Sequence, residues 1–125
     1  SLGVLYSDVM GLKQINDTFG HQAGDKALLY ACENLKSHFP AECVYRIGGD
    51  EFLVLIPGIT ENLFQSMIRS IQADMAEGSV HLALGSVWVD CTDNAEKTLS
   101  EADARMYEDK RVYYAKNRQL DRRRR

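Results

Sequence analysis

The sequence predicts an α/β domain: a central mixed β-sheet that carries one antiparallel hairpin and is wrapped by helices. Three observations predict it. β-rich apolar runs alternate with stretches of helical periodicity in the order βααββαβα, which sets helices between most strands. Two extended runs flank Gly48-Gly49-Asp50-Glu51, the pattern of a hairpin with a tight acidic tip. The 125 residues suffice for one core and one domain. Strands joined through helices are expected to run parallel and the hairpin pair antiparallel, hence a mixed sheet.

The elements follow in order. A first strand near 3–9 (Gly3 to Val9) ends in Asp8 and Val9, and Met10-Gly11 turns it into a short helix near 11–20 with Leu12, Ile15 and Phe19 on one face. A longer helix, about 24–38, carries Ala27, Leu28, Ala31 and Leu35 on one side, and Pro40 closes it. The hairpin strands are 43–47 and 52–56, ended by Pro57-Gly58. Thr60 caps a helix of about 61–76, with Glu61 in its first turn and a core stripe of Leu63, Phe64, Met67, Ile68 and Ile71. Residues 80–89 form a further strand, and Asp93 or Asn94 starts a last helix with Leu99, Ala102 and Met106 facing inward. No internal repeat, low-complexity segment or linker interrupts the chain.

Composition narrows the class. Hydrophobic residues at 45% and charged residues at 26% are those of a globular domain, and no apolar run approaches the ~18 residues of a membrane span. Cys32, Cys43 and Cys91 form an odd, scattered set without metal-ligand spacing, which reads as reduced thiols in a cytoplasmic protein. Residues 117–125 hold five Arg and one Asp, a local +4, so the rest carries −7 against the whole chain's −3. That segment reads as a frayed, solvated tail beside a domain at 1–116, and the acidic body argues against nucleic acid as the main ligand.

The chemistry-bearing residues gather in two places. Asp8 stands near the C-terminal end of its strand, where open α/β sheets bind ligands; a buried strand-end cap is the alternative. The free N–H groups at the start of the following helix, with Lys13 beside them, form a phosphate cradle. Gly48 and Gly49 leave the hairpin tip open and are free to take positive φ. Asp50 and Glu51 then put two carboxylates where a hard cation such as Mg²⁺ would bind, or simply solubilise the turn. An acid at a strand end, a helix N-terminus and an acidic tip are the parts of a metal–triphosphate site.

The segments GLKQINDTFGHQAGDKAL, RIGGDEF and EADARMYEDK resemble, in order, the GGDEF family of diguanylate cyclases, which condense two GTP into cyclic di-GMP. The resemblance runs from about Gly3 to Ala115 and implies a sheet akin to nucleotidyl cyclase and polymerase palm domains. It implies that Asp8, the carbonyl of Val9, Asp50 and Glu51 hold Mg²⁺ or Mn²⁺, with Asp50 also accepting the 3′-hydroxyl proton. It implies guanine recognition by Asn16 and Asp25, where bottom-up reading sees a helix end and a helix start, and a nucleotide contact from His21 that is equally a surface histidine. Lys13 and Lys110 match phosphate-facing positions, Lys13 as the better candidate for stabilising the transferring phosphoryl group, and Gly48 and Gly49 line the substrate.

Three departures carry expectations of their own. Met10 stands where the family commonly has an acid or amide, and Tyr114 where many members place a phosphate-binding Arg. The window of the family's inhibitory product site reads Phe39-Pro40-Ala41-Glu42, so product inhibition there is expected to be absent. The family's N-terminal helix has no counterpart in this sequence, and an N-terminal sensor or receiver domain, membrane-anchored or not, is the expected partner along with a second copy in a homodimer. The alternatives to a cyclase are a non-catalytic GTP-binding or dimerisation module and another nucleotidyl cyclase or polymerase-like enzyme.

Overall fold

Leu2–Val9 (β1) is an inner strand of a four-stranded sheet in the computed structural model. The structure describes residues 1–78, 80–91 and 93–124, with side chains to Lys116. After β1 come the helices Leu12–Phe19 (α1) and His21–His38 (α2), then a 3₁₀ turn over Ala41–Cys43. Val44–Arg46 (β2) and Glu51–Pro57 (β3) form the hairpin; Glu61–Glu77 (α3), Leu82–Val89 (β4) and Ala95–Arg124 (α4) complete the chain. The element order is the expected one. The side chains of the basic segment at 117–124, and Arg125, lie outside the described residues.

The sheet order is β2-β3-β1-β4, and each pairing among the described residues is antiparallel, so the sheet is not mixed. The reason is topological. Each helical crossover joins strands of the same direction but skips one position: α1 and α2 carry the chain from β1 past β3 to β2, and α3 carries it from β3 past β1 to β4. This split βαβ arrangement slots an antiparallel strand into each gap. β1 is consequently covered on both faces, which explains its nearly unbroken apolar sequence.

On one face, Leu5, Val9, Phe52, Val54, Ile56 and Leu82 pack with Ala31 and Leu35 of α2 and Phe64, Ile68 and Ile71 of α3. On the other, Val4, Val87 and Ala102 pack with Tyr6, Leu53, Leu55 and Leu99, so α4 lies across the sheet. Two expected core residues are not in the core: Leu63 is 52% exposed and Phe19 is 74% exposed. Leu63 sits at the margin of a stripe whose centre is buried, whereas α1, which carries Phe19, has no buried residue. Helix ends follow local chemistry. Thr60 Oγ1 accepts the Leu63 N–H and Asn94 Oδ1 accepts the Lys97 N–H, as N-caps do. α2 begins at His21 after Gly20 rather than near 24, which leaves Asp25 inside the helix.

α4 touches β4 at backbone distance through Gly85. A Cβ there would stand 2.1 Å from the Ala102 carbonyl oxygen and 2.2 Å from the Met106 nitrogen. Farther along, Asp109 accepts the Leu84 N–H and Arg105 donates to the Ser86 carbonyl, covering outward backbone groups of an edge strand. Gly85→Ala is therefore expected to lower stability by about 3 kcal/mol or more in urea unfolding, because backbone cannot yield as a side chain does. A change under about 0.5 kcal/mol would mean that α4 is not seated on β4.

Candidate functional site

The C-terminal end of β1 and the hairpin tip are tied together by backbone. The Val9 N–H donates to the Asp50 carbonyl at 3.0 Å, and β1–β3 register sets Asp8 opposite Glu51. The tip itself is shaped by Arg46, which donates to the carbonyls of Gly48 (3.2 Å) and Gly49 (2.6 Å). Neither tip glycine has positive φ, unlike Gly11, Gly20 and Gly58. A Cβ at Gly49 would meet nothing within 4 Å, so neither backbone conformation nor crowding within the chain requires glycine there.

Asp8 is 1% exposed. Its Oδ2 accepts from Lys110 Nζ of α4 at 2.5 Å, while Oδ1 is buried without a hydrogen-bond partner. A strand-end cap would accept backbone N–H groups; this carboxylate does not. Burial pushes its carboxyl up to about 6; the Lys110 ammonium opposes the shift and the neighbouring Asp50 carboxyl adds to it. Lys110 is held above the usual amine range chiefly by its hydrogen bond to Asp8. Both partners of the ion pair thus rise: Asp8 because its desolvation outweighs what the amine returns, and Lys110 because its hydrogen bond to Asp8 outweighs its own desolvation.

Asp8, Asp50 and Lys110 therefore meet at one point. Glu51 lies beside them in register, but its Oε2 turns toward Gly48, 3.7 Å from where a Cβ would be. Among the described residues no three His, Cys, Asp or Glu side chains converge as a finished metal site. The donor chemistry nonetheless fits a hard divalent cation: an orphaned buried carboxylate oxygen faces a second carboxyl, with oxygen donors only.

The remaining candidates lie around this point. Gly11 caps α1 with φ of 68°, and its N–H donates to the Tyr114 hydroxyl at 3.2 Å. Lys13 is exposed on the first turn of α1. The Asn16 side chain packs against Gly24, where a Cβ would fall 1.7 Å from Asn16 Oδ1, and that oxygen is buried without a partner. Asp25 is exposed and lines a cavity of about 310 Å³ with Leu28, Leu29, Cys32, Arg46 and Phe52, between α2 and the hairpin. His21 is exposed at the first residue of α2, and lines none of this cavity. Phe39, in the expected inhibitory window, is buried in the core and holds no surface position. Sequence reasoning gave Arg46 no role; a long cationic side chain two residues before a glycine pair was the available signal.

Residues 1–114 match the family model described as "Diguanylate cyclase, GGDEF domain". The chain is a GGDEF domain. It is 37% identical over 108 residues to the probable diguanylate cyclase DgcI of Escherichia coli K12, covering 83% of this chain and 24% of DgcI. It is 35% identical over 120 residues to the diguanylate cyclase DgcP of the same strain, covering 86% of this chain and 35% of DgcP. The GGDEF domain thus spans between a quarter and about a third of these relatives. Among solved structures it is similar to a microbial GGDEF domain described in its interaction with bis-(3′,5′)-cyclic di-GMP, with a TM-score of 0.76, 29% identity, and 89% and 73% of the two chains covered.

A buried carboxylate that is only half paired costs the fold free energy. Asp8→Asn is expected to raise the melting temperature of the ligand-free domain by a few degrees and to remove any further rise on adding Mg²⁺ with GTP. A fall in melting temperature instead would identify Asp8 as a structural acid.

Proposed function

We propose that this GGDEF domain is a diguanylate cyclase half-site, which condenses two GTP into cyclic di-GMP when two loaded copies meet. The observation that carries this reading is the buried, half-paired Asp8 beside the acidic tip of the hairpin. Such an acid is costly for the fold and useful only for what it binds. Residues suited to hold Mg²⁺ or Mn²⁺ are Asp8, the Val9 carbonyl, Asp50 and Glu51. A bound divalent ion supplies charge neutralisation for the triphosphate and a lower pKa for the 3′-hydroxyl.

The chain's own residues do the rest. Lys13, at the start of α1, faces charge building on the transferring phosphoryl group, and Lys110 exchanges Asp8 for phosphate. Asp25, in the cavity beside the hairpin, accepts from the guanine N1–H and N2 amine, and adenine offers no donors in that pattern. The orphaned Asn16 oxygen and His21 border the base from the α1–α2 side. Gly49 leaves room for the nucleotide where any side chain would intrude. Asp50 takes the proton as each 3′-oxygen attacks the partner copy's α-phosphorus and pyrophosphate leaves. Two such displacements close the ring and release two pyrophosphates.

Holding two reactive geometries face to face makes association the slow step, as expected for a domain governed by a fused sensor or receiver. Among the described residues no helix is long and apolar enough to cross a membrane. A second reading, a GTP-binding or dimerisation module without turnover, is favoured by Tyr114 at the position where the family resemblance implies a phosphate-binding arginine.

A concentration series with GTP and Mg²⁺, resolved by chromatography, separates the two. Cyclic di-GMP should form at a rate rising faster than linearly with protein, and Glu51→Ala should abolish it. Nucleotide binding without product, even at high protein concentration, would favour the module. Gly49→Ala is expected to leave urea stability within about 0.5 kcal/mol of the parent yet reduce turnover at least about tenfold. A stability loss comparable to the activity loss would show that the glycine serves the fold.

A further inference from the structure

The helix that supplies Lys110 brings a second polar group over the site. Tyr114 lies one turn farther along α4, and its hydroxyl oxygen accepts the Gly11 N–H at 3.2 Å. Gly11 is the N-cap of α1, so this N–H stands at the head of the helix's unpaired donors, where an anion is best received. The Tyr113 hydroxyl would be 3.8 Å from a Cβ on Gly11, so two phenols roof the same residue. The Tyr114 ring meets Tyr113 edge-on, with centroids 5.5 Å apart, and both pack against the buried Met10 and Met106. Two positions before Met10 is Asp8, with its buried and unpartnered Oδ1.

An N–H already held by one oxygen is closed to another. We propose that Tyr114 is the gate of the phosphate cradle: in the free domain its hydroxyl stands where a phosphate oxygen belongs, and a bound triphosphate displaces it. The proposal rests on the GTP reading above and adds an affinity-setting residue to it. The exchange is downhill, because the phenol bond is neutral and long while an N–H bond to phosphate is charge-assisted. It is not free, since affinity falls by the fraction of molecules in which the gate is closed. Under the same reading Lys110, one turn earlier on α4, makes the same kind of exchange on Asp8. The cavity lined by Asp25 contains neither residue, and base binding therefore should not sense the gate.

Tyr114→Phe keeps the ring and removes only the oxygen. Calorimetric titration with guanosine 5′-(α,β-methylene)triphosphate and Mg²⁺, which cannot release pyrophosphate, is the direct test, with guanosine as the base-only probe. The variant should bind the triphosphate about fivefold more tightly, the equivalent of about 1 kcal/mol for one hydrogen bond, with guanosine affinity unchanged. Unchanged or weaker triphosphate binding would overturn the gate, the latter by making the hydroxyl a phosphate ligand. Equal tightening of guanosine would also overturn it, as a general loosening of the domain. If the parent domain binds the triphosphate and the variant does not improve on it, only the gate falls. If the parent binds neither probe, the GTP reading falls and the gate with it.

Discussion

The burial of one carboxylate governs this structure. Asp8 is at the end of a strand covered on both faces, so its charge is met by what the fold brings to it and by little solvent. One oxygen receives an ammonium from α4; the other receives nothing. Continuous apolar burial of β1 positions the acid, and seating of α4 through Gly85 positions the amine. The register of β3 brings the second carboxyl alongside. Loosening any of these would let water reach Asp8 and ease the desolvation that its carboxyl bears.

Division of labour between the two ends of the molecule follows from this. The α2–α3 side of the sheet holds the larger apolar cluster, with a His38–Asp74 pair joining the two helices at its margin. The α4 side is thinner, and its packing grades from aliphatic residues near Val4 and Val87 to methionines and tyrosines near Met10 and Met106. Met and Tyr adapt to neighbours more readily than branched residues do. The adaptable packing therefore borders Asp8 on the α4 side, while Val9 and Phe52 of the larger cluster adjoin Asp8 and Glu51 on the other.

Much of this was legible in the residues. Element order, the Thr60 and Asn94 caps and the hairpin about Gly48-Gly49 all rest on local chemistry, which sequence carries directly. The sheet is antiparallel where a mixed one is expected, because strand adjacency depends on how far a crossover reaches, and no local pattern encodes that distance. Phe19 and Leu63 fit helical stripes, yet α1 is left without a buried residue and Leu63 falls at the edge of its own stripe, a matter of tertiary cover. Asp8, Asp50 and Glu51 could be singled out, yet not that Glu51 would turn toward Gly48 while Lys110 claimed Asp8. Pairings across 102 residues, such as Lys110 with Asp8, have no sequence signature without the fold.

The bracing of β4 by Arg105 and Asp109 has a consequence for how copies of this domain can meet. With the Leu84 N–H and the Ser86 carbonyl of that strand occupied, strand addition at its centre would have to displace them. The opposite edge, β2, is only three residues long and offers little template. Side-by-side fusion into a continuous sheet is thus disfavoured at both margins. Encounters between copies are left to side-chain surfaces, which part as easily as they join. Under the proposed cyclase reading, where two copies must be brought together and released, such contacts stay reversible.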